Sequence, residues 1–371
     1  MGVVRTNILH GDSLVILPTL PDNSIDSCVT DPPYHLTSVV KRFGKADSAP
    51  AQFGTDGAFA RASRGFMGKE WDGGDIAFRP EIWAEVLRVL KPGGHLLAFG
   101  GTRTYHRMAC AIEDAGFEIR DMTGWLYGSG FPKSHNQHGD WEGWGTALKP
   151  AQEPICVARK PLIGTVAENL AAWGTGALNI DACRVETGER IVATRNVALG
   201  SSSGGVYGPA VVSGVYQQKD GGRWPANVIH DGSDEVLGAF PAAPGQIADA
   251  STKPGSKTQH VFGAMACEGE ASAERRADSG SAARFFYCAK AGKGDRAGSK
   301  HPTVKPIKLM RYLCRLVTPP GGTVLDPFAG SGTTLQAAIE EGFSAIGIER
   351  EAEYLADINR RLMGLEMEPP Q

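Results

Sequence analysis

The stretch Thr323-Val324-Leu325-Asp326-Pro327-Phe328-Ala329-Gly330-Ser331-Gly332 decides the fold. Thr323 to Asp326 is short, apolar and β-leaning, the signature of a buried strand. Gly330 and Gly332 let the backbone pass close to a ligand where side chains would block it. Thr333 to Glu341 has helical character, and Ser344-Ala345-Ile346-Gly347-Ile348 reads as a second strand ending at Glu349. Strand, glycine turn, helix, strand and terminal acid make a nucleotide-binding unit of an α/β sheet.

Glu349 lies seventeen residues after Gly332, near the place (roughly twenty residues on) where an acid accepts from ribose hydroxyls. A dinucleotide site usually has three glycines as G-x-G-x-x-G, but Leu335 stands where the third would be. Asp326 repels a diphosphate and suits a cationic amino acid group. The pattern therefore favours S-adenosylmethionine over NAD.

Working back to the N-terminus, Ser24 to Thr30 is a second short strand, and Asp31-Pro32-Pro33-Tyr34 comes directly after it. Two prolines forbid both a helix and a continued ladder. The strand must stop and present Asp31 and Tyr34 at its carboxyl end, where open α/β sheets bind ligands. A carboxylate and a proline carbonyl can accept hydrogen bonds from an amino group, and an aromatic ring can stack on a flat heterocycle.

Between these poles the chain alternates strand and helix. Asn7 to His10 is a strand, with Asp12 or Ser13 capping the apolar segment Leu14 to Leu17. Arg79-Pro80 opens a helix that Lys91-Pro92-Gly93-Gly94 ends; His95 to Phe99 is an apolar strand; Thr102 or Thr104 caps a helix closed by Gly116. Further strands run over Phe117 to Tyr127 and Pro154 to Arg159, and Arg284 to Cys288 is another strand candidate. Ile307 to Val317 is a helix, and a final helix holds Tyr354, Leu355, Ile358 and Leu362. Residues 161–282 are rich in Gly, Ser and Ala with little periodicity. We expect residues 1–160 and 283–371 to form one domain, with 161–282 inserted as an irregular domain.

The composition suits a globular protein: 42% hydrophobic and 21% charged over 371 residues, with no run of membrane-span length. Seven cysteines without C-x-x-C spacing read as reduced cytosolic thiols, and no zinc site is expected. The net charge is -3, yet Arg284 to Arg315 carries nine basic residues against one acid, Asp295. Such a window can contact phosphates. We expect Lys290, Lys293 and Lys300 to bind the phosphates of a nucleic acid, with Lys149, Arg159, Lys160 and Arg223 adding to the track.

Taken together, the Asp31-Pro32-Pro33-Tyr34 and Asp326-to-Gly332 motifs resemble those of the amino-group DNA methyltransferases, in the order of their β group. His301-Pro302-Thr303-Val304-Lys305-Pro306 is similar to the family's cofactor-wrapping motif, and Gly11-Asp12-Ser13 to the segment that approaches the cofactor's adenine. The resemblance implies a Rossmann-like, circularly permuted S-adenosylmethionine-dependent methyltransferase fold of catalytic residues 1–160 and 283–371, with 161–282 as an inserted irregular target-recognition region. It implies catalytic roles for Asp31, Pro32, Pro33 and Tyr34. It implies cofactor contacts from Asp12, Thr303, Lys305, Pro306, Asp326, Phe328, Gly330, Ser331, Gly332, Thr333 and Glu349. The substrate would be double-stranded DNA, in a prokaryotic or phage-encoded cytoplasmic enzyme. The resemblance also leaves room for a cognate restriction endonuclease as partner.

Asp at position 31 resembles the adenine-N6 enzymes, whereas Ser there is commoner among cytosine-N4 ones. No cysteine follows a proline, which counts against C5-cytosine chemistry. An RNA or protein methyltransferase, an NAD-dependent oxidoreductase and a non-catalytic DNA-binding protein are the other classes weighed. The permuted order carries a geometric expectation: the Asp326 strand lies beside the Asp31 strand, and Asp31 and Tyr34 face Phe328 and Gly330 across one cleft.

Overall fold

The computed structural model describes residues 4–34, 75–130, 134–186, 194–195, 216–217, 222–243, 280–290, 292, 294–299, 304–363 and 365. Its strands are β1 Thr6–His10, β2 Ile25–Thr30, β3 Leu90–Phe99, β4 Glu118–Leu126, β5 Gln152–Arg159, β6 Thr194–Arg195, β7 Tyr216–Gln217, β8 Val228–His230, β9 Tyr287–Cys288, β10 Thr323–Asp326 and β11 Ser344–Glu349. Its helices are α1 Ser13–Ile16, α2 Pro80–Val89, α3 Tyr105–Asp114, α4 Val166–Trp173, α5 Asp234–Ala239, α6 Ile307–Val317, α7 Thr333–Glu340 and α8 Ala352–Leu362. No described helix is long and apolar enough to cross a membrane.

Among the described residues, nine strands form one sheet in the order β1-β11-β10-β2-β3-β5-β4-β8-β9. All neighbours run parallel except β5, which is antiparallel to both β3 and β4. The two last strands in sequence, β10 and β11, stand between the first two, which is the circular permutation expected. Period-two alternation sends successive residues to opposite cores. Val29, Leu97, Phe99 and Val324 pack with α6, α7 and α8, while Cys28, Leu96, Ala98 and Leu325 pack with α2 and α3. This is a three-layer α/β architecture.

Several element ends differ from the sequence reading for identifiable reasons. The strand expected at His95 begins at Leu90 and runs through Lys91-Pro92-Gly93-Gly94. Pro92 and Gly93 punctuate it without ending it, because Ile25 still pairs with Leu90 across a register shift and Gly94 pairs with Lys160. Buried Asp26 ties the same edge together, accepting from Lys91 Nζ at 2.6 Å and from the Thr323 amide at 2.8 Å. The strand candidate at Arg284 to Cys288 is mostly a 3-10 turn, Ala282–Phe285, with only Tyr287–Cys288 in the ladder.

The chain divides into two compact units. The first comprises residues 1–183, 226–236 and 287–371 and contains the nine-stranded sheet. The second comprises residues 184–225 and 237–286 and contains the β6–β7 pair. Residues 161–183 and 226–236 thus belong to the sheet unit, where α4 and β8 are formed.

Candidate active site

Two strand ends make the site. β10 pairs with β2 in parallel, Val324 opposite Ser27 and Leu325 opposite Cys28. Both strands stop at their carboxyl ends in proline-containing turns, so Asp31 and the glycine turn leave the sheet side by side. The buried Thr30 hydroxyl donates to Asp326 Oδ1 at 2.7 Å and links the two turns at their origin.

Asp31 and Tyr34 sit in a compact charged cluster. The Tyr34 hydroxyl lies 2.8 Å from Asp31 Oδ1 and 3.2 Å from Glu153 Oε2. Lys305 Nζ reaches Asp31 Oδ2 at 3.0 Å, Glu153 Oε2 at 2.8 Å and the Tyr34 hydroxyl at 3.0 Å. Its ammonium also lies over the rings of Phe99 and Tyr34, at 4.8 and 5.4 Å. Burial acts to lower the Lys305 pKa, but Asp31 and Glu153 outweigh it and hold the group charged above its ordinary value. Burial and the same two carboxylates push the Tyr34 phenol well up, so it stays protonated and donates. The Tyr34 backbone is held as well: Thr104 Oγ1 donates to its carbonyl at 2.8 Å. Gly101 leaves room for the ring, since a Cβ there would sit 3.2 Å from Tyr34 Cδ2. Pro32 is buried beneath the turn.

The glycine turn carries its own acid pair. Gly330 and Gly332 adopt φ of 51° and 78°, a left-handed backbone that favours glycine. A Cβ on Gly332 would also sit 3.0 Å from Ile358 Cγ1. Glu349, at the end of β11, accepts from the Gly330 amide through Oε2 and from the Glu351 amide through Oε1, each at 2.7 Å. Its burial outweighs these bonds and pushes its pKa up to about 7. Asp326 is buried too and accepts from Thr30, from the Phe328 amide at 3.1 Å and from Thr334; burial still raises its pKa to about 6. The Gly11-Asp12-Ser13 segment docks here, the Gly11 amide donating to the Glu349 carbonyl at 3.0 Å and Ser13 Oγ to the Pro327 carbonyl at 2.5 Å. Asp12 caps α1 by accepting from the Leu14 amide at 2.9 Å. Ser331 and Thr333 are buried with hydroxyls 3.1 Å apart, and Pro306 is buried at the entry to α6.

The structure therefore gathers Asp31, Pro32, Pro33, Tyr34 and Lys305 into one cluster. Asp12, Asp326, Phe328, Gly330, Ser331, Gly332, Thr333 and Glu349 gather around the glycine turn. Lys305 stands with Asp31, a neighbour that its motif position does not suggest. Thr303, Lys293 and Lys300 lie outside the described residues. Sequence reasoning does not find Glu153; the only signal is an acid at the head of an apolar strand, and only the reversed direction of β5 brings it to this edge.

Of the four residues expected to face one another across one cleft, Phe328 turns its ring away from Tyr34. Tyr34 leans toward the core under α6 and α7, whereas Phe328 packs toward the other core, edge-on to Trp83 with ring centroids 6.5 Å apart. Ala329, the next residue of the glycine turn, lies in the core on which Tyr34 packs, and the Thr30–Asp326 bond links the two motifs.

Two members of the expected DNA track also need correction. Arg159 is buried and paired with Glu118 at 2.6 Å. Lys160 donates to Asn23 Oδ1 at 2.8 Å and to the Leu90 carbonyl at 2.7 Å. Both lie at the end of β5, on the edge opposite the site. In the basic window, Arg311 and Arg315 are engaged by Glu340 and Glu341. Lys149 and Lys290 are exposed.

The type II methyltransferase M.HindIII of Haemophilus influenzae is 25% identical over 387 residues, spanning 97% of this chain and 95% of its own. The DNA adenine methyltransferase YhdJ of Escherichia coli is 48% identical over 62 residues, 17% of this chain and 21% of its own. The structure of the cytosine-N4-specific PvuII DNA methyltransferase matches with a TM-score of 0.45 and 16% identity, covering 96% of this chain and 86% of that one. The pattern of the DNA methylase family of N6 and N4 methyltransferases is met across residues 25–360, and the chain belongs to that family.

Proposed function

We propose that this DNA methylase transfers the methyl group of S-adenosylmethionine to the N6 amino group of adenine at a specific site in double-stranded DNA. The observation that carries this reading is the Asp31–Tyr34 cluster standing beside the glycine turn at the carboxyl edge of β2 and β10.

The donor set fits the proposed cofactor. When bound, S-adenosylmethionine supplies an electrophilic methyl group on a positively charged sulfur. The two strand-end acids, Asp326 and Glu349, are buried, and no cation among the described residues perturbs either. Such a pair favours a cationic ligand carrying hydroxyls over a polyphosphate. Asp326, Phe328, the Gly330-to-Thr333 turn and Glu349 would hold it, with Asp12, Thr303 and Pro306 completing the site.

An exocyclic amino nitrogen is a poor nucleophile because its lone pair is delocalised into the ring. In our reading Asp31 and the Pro32 carbonyl accept its two hydrogens, so the lone pair turns toward the methyl carbon. Tyr34 stacks on the base, which must leave the duplex to arrive. As the new N–C bond forms the C–S bond breaks, and the nitrogen's surplus proton passes to Asp31 and then to solvent. Positioning and electrostatics supply the acceleration, with no covalent enzyme intermediate.

Asp31 in the motif and the adenine specificity named for YhdJ support adenine over cytosine-N4. The second compact unit, residues 184–225 and 237–286, is the proposed target-recognition part, and a cognate restriction endonuclease sharing the site is the proposed partner. Labelled S-adenosylmethionine offered with DNA, RNA and protein separately tests the reading, with mass identification of the methylated nucleoside as the second step. N6-methyladenine in DNA is the expected product; N4-methylcytosine would move the specificity, and label in RNA or protein alone would reject the substrate.

A further inference from the structure

Lys305 is placed where its family motif gives no reason to expect it. An ammonium has three N–H donors, and Lys305 finds an acceptor for each: Asp31 Oδ2, Glu153 Oε2 and the Tyr34 hydroxyl, all within 3.0 Å. With its donors saturated, it is engaged by the amino-accepting motif and not by the glycine turn. The side chains of Lys305, Asp31 and Glu153 are only 7, 18 and 20% exposed. Desolvating three charges is costly, and apolar packing of the same volume stabilises a fold as well or better. The arrangement is thus a poor device for stability alone. Its geometry is suited to something else: one cation fixes both functional side chains of the Asp31-to-Tyr34 turn, and a second carboxylate from the antiparallel strand fixes the cation.

We propose that Lys305 and Glu153 are a positioning pair for methyl transfer, in which the ammonium orients the Asp31 side chain and Glu153 anchors the ammonium and the Tyr34 hydroxyl. This rests on the methyltransferase reading above. The ammonium occupies one oxygen of Asp31 and Tyr34 the other, and a carboxylate has about four acceptor sites, so acceptor capacity remains for a substrate amino group. The cluster holds two carboxylates and one ammonium, a net negative charge facing a reaction in which positive charge moves onto the base nitrogen.

The test uses the full-length enzyme with DNA and radiolabelled S-adenosylmethionine. Lys305→Met, Lys305→Arg and Glu153→Gln are compared in single-turnover rate, cofactor dissociation constant and pH profile. The titratable groups facing Asp31 are Tyr34 in its own turn, Glu153 from β5, Lys305 before α6 and Asp326 from β10, with Tyr127 beyond β4 acting on Glu153 and Lys305. Lys305→Met removes the cation and leaves like charges, so the acid limb of the rate profile should move to higher pH. Glu153→Gln removes a competitor for the cation, so the limb should move to lower pH. Both should slow transfer by about tenfold or more, with cofactor dissociation within about twofold and partial recovery in Lys305→Arg.

A purely structural pair would not move the two acid limbs in opposite directions. Weakened cofactor binding with an unchanged saturated rate, or unmoved limbs, would overturn the proposal and make Lys305 a cofactor contact. If Lys305→Met does not bind cofactor at all, Glu153→Gln and Lys305→Arg carry the test. A wild-type enzyme that methylates no DNA would instead overturn the methyltransferase reading itself.

Discussion

The hydroxyl of Thr30, the last residue of β2, donates to Oδ1 of Asp326, the last residue of β10, at 2.7 Å. This single bond joins the Asp31-to-Tyr34 turn to the glycine turn, and Asp326 has a raised pKa even with it in place. Thr30→Val keeps the shape and removes the donor. We expect a stability loss of about 1–3 kcal/mol near neutral pH. The loss should shrink below about pH 6, where Asp326 is protonated and needs less compensation. Urea unfolding at pH 5 and pH 8 checks it.

Asp31 tests the chemistry directly. Asp31→Ala should lower the single-turnover rate by about 100- to 10,000-fold, the range typical of a positioned acid–base group. Cofactor binding should survive, because Glu349 and the glycine turn are untouched. Calorimetric titration of the variant with S-adenosylmethionine, beside its rate, separates loss of chemistry from loss of the site.

Glu349 makes two opposed pH dependences. Its folded pKa is raised to about 7, so the native state holds a proton that the unfolded chain releases earlier. The ligand-free protein should therefore lose stability as pH rises from the ordinary carboxylate range through about 7, by at most about 3 kcal/mol from this group. Cofactor affinity should run the other way, since the ionised form accepts ribose hydroxyls. Glu349→Gln should flatten both curves. Denaturant unfolding and cofactor titration across pH 5 to 8 measure them.

The basic window should act on the DNA backbone through its lysines. Neutralising Lys290, Lys293 and Lys300 together should reduce the slope of log affinity against log salt by about 0.9 for each phosphate the variant no longer neutralises. Arg159→Gln should leave that slope unchanged, because Arg159 is buried against Glu118 on the opposite sheet edge.

What can be read in the sequence depends on whether the signal is local. β10 and β11 are legible because apolar strands bracketed by glycines admit one reading, and the Asp-Pro-Pro break forces β2 to end where it does. The first half of β3 is hidden because Pro92 and Gly93 look like a stop, while cross-strand pairing absorbs them as an irregularity. Glu153 is hidden because nothing in its own neighbourhood shows that β5 runs backwards. Arg159, Lys160, Arg311 and Arg315 mislead because counting charges cannot reveal partners such as Glu118, Asn23 or Glu341. The motif around Lys305 assigns it to the cofactor, and the fold gives it a different neighbour.

The permuted order also bears on how the protein is made. Among the described strands β1 has one neighbour, β11, with Thr6 opposite Ala345, and β2 reaches its outer partner only when Val324 and Leu325 have been synthesised. A growing chain on the ribosome therefore carries an unpaired first strand through nearly the whole of its translation up to β11. Parallel pairing over such separations is slow to form. The nascent first strand is exposed to proteases and to stray strand pairing until β11 emerges, and no product terminated before β10 can assemble the edge that β2 and β10 share.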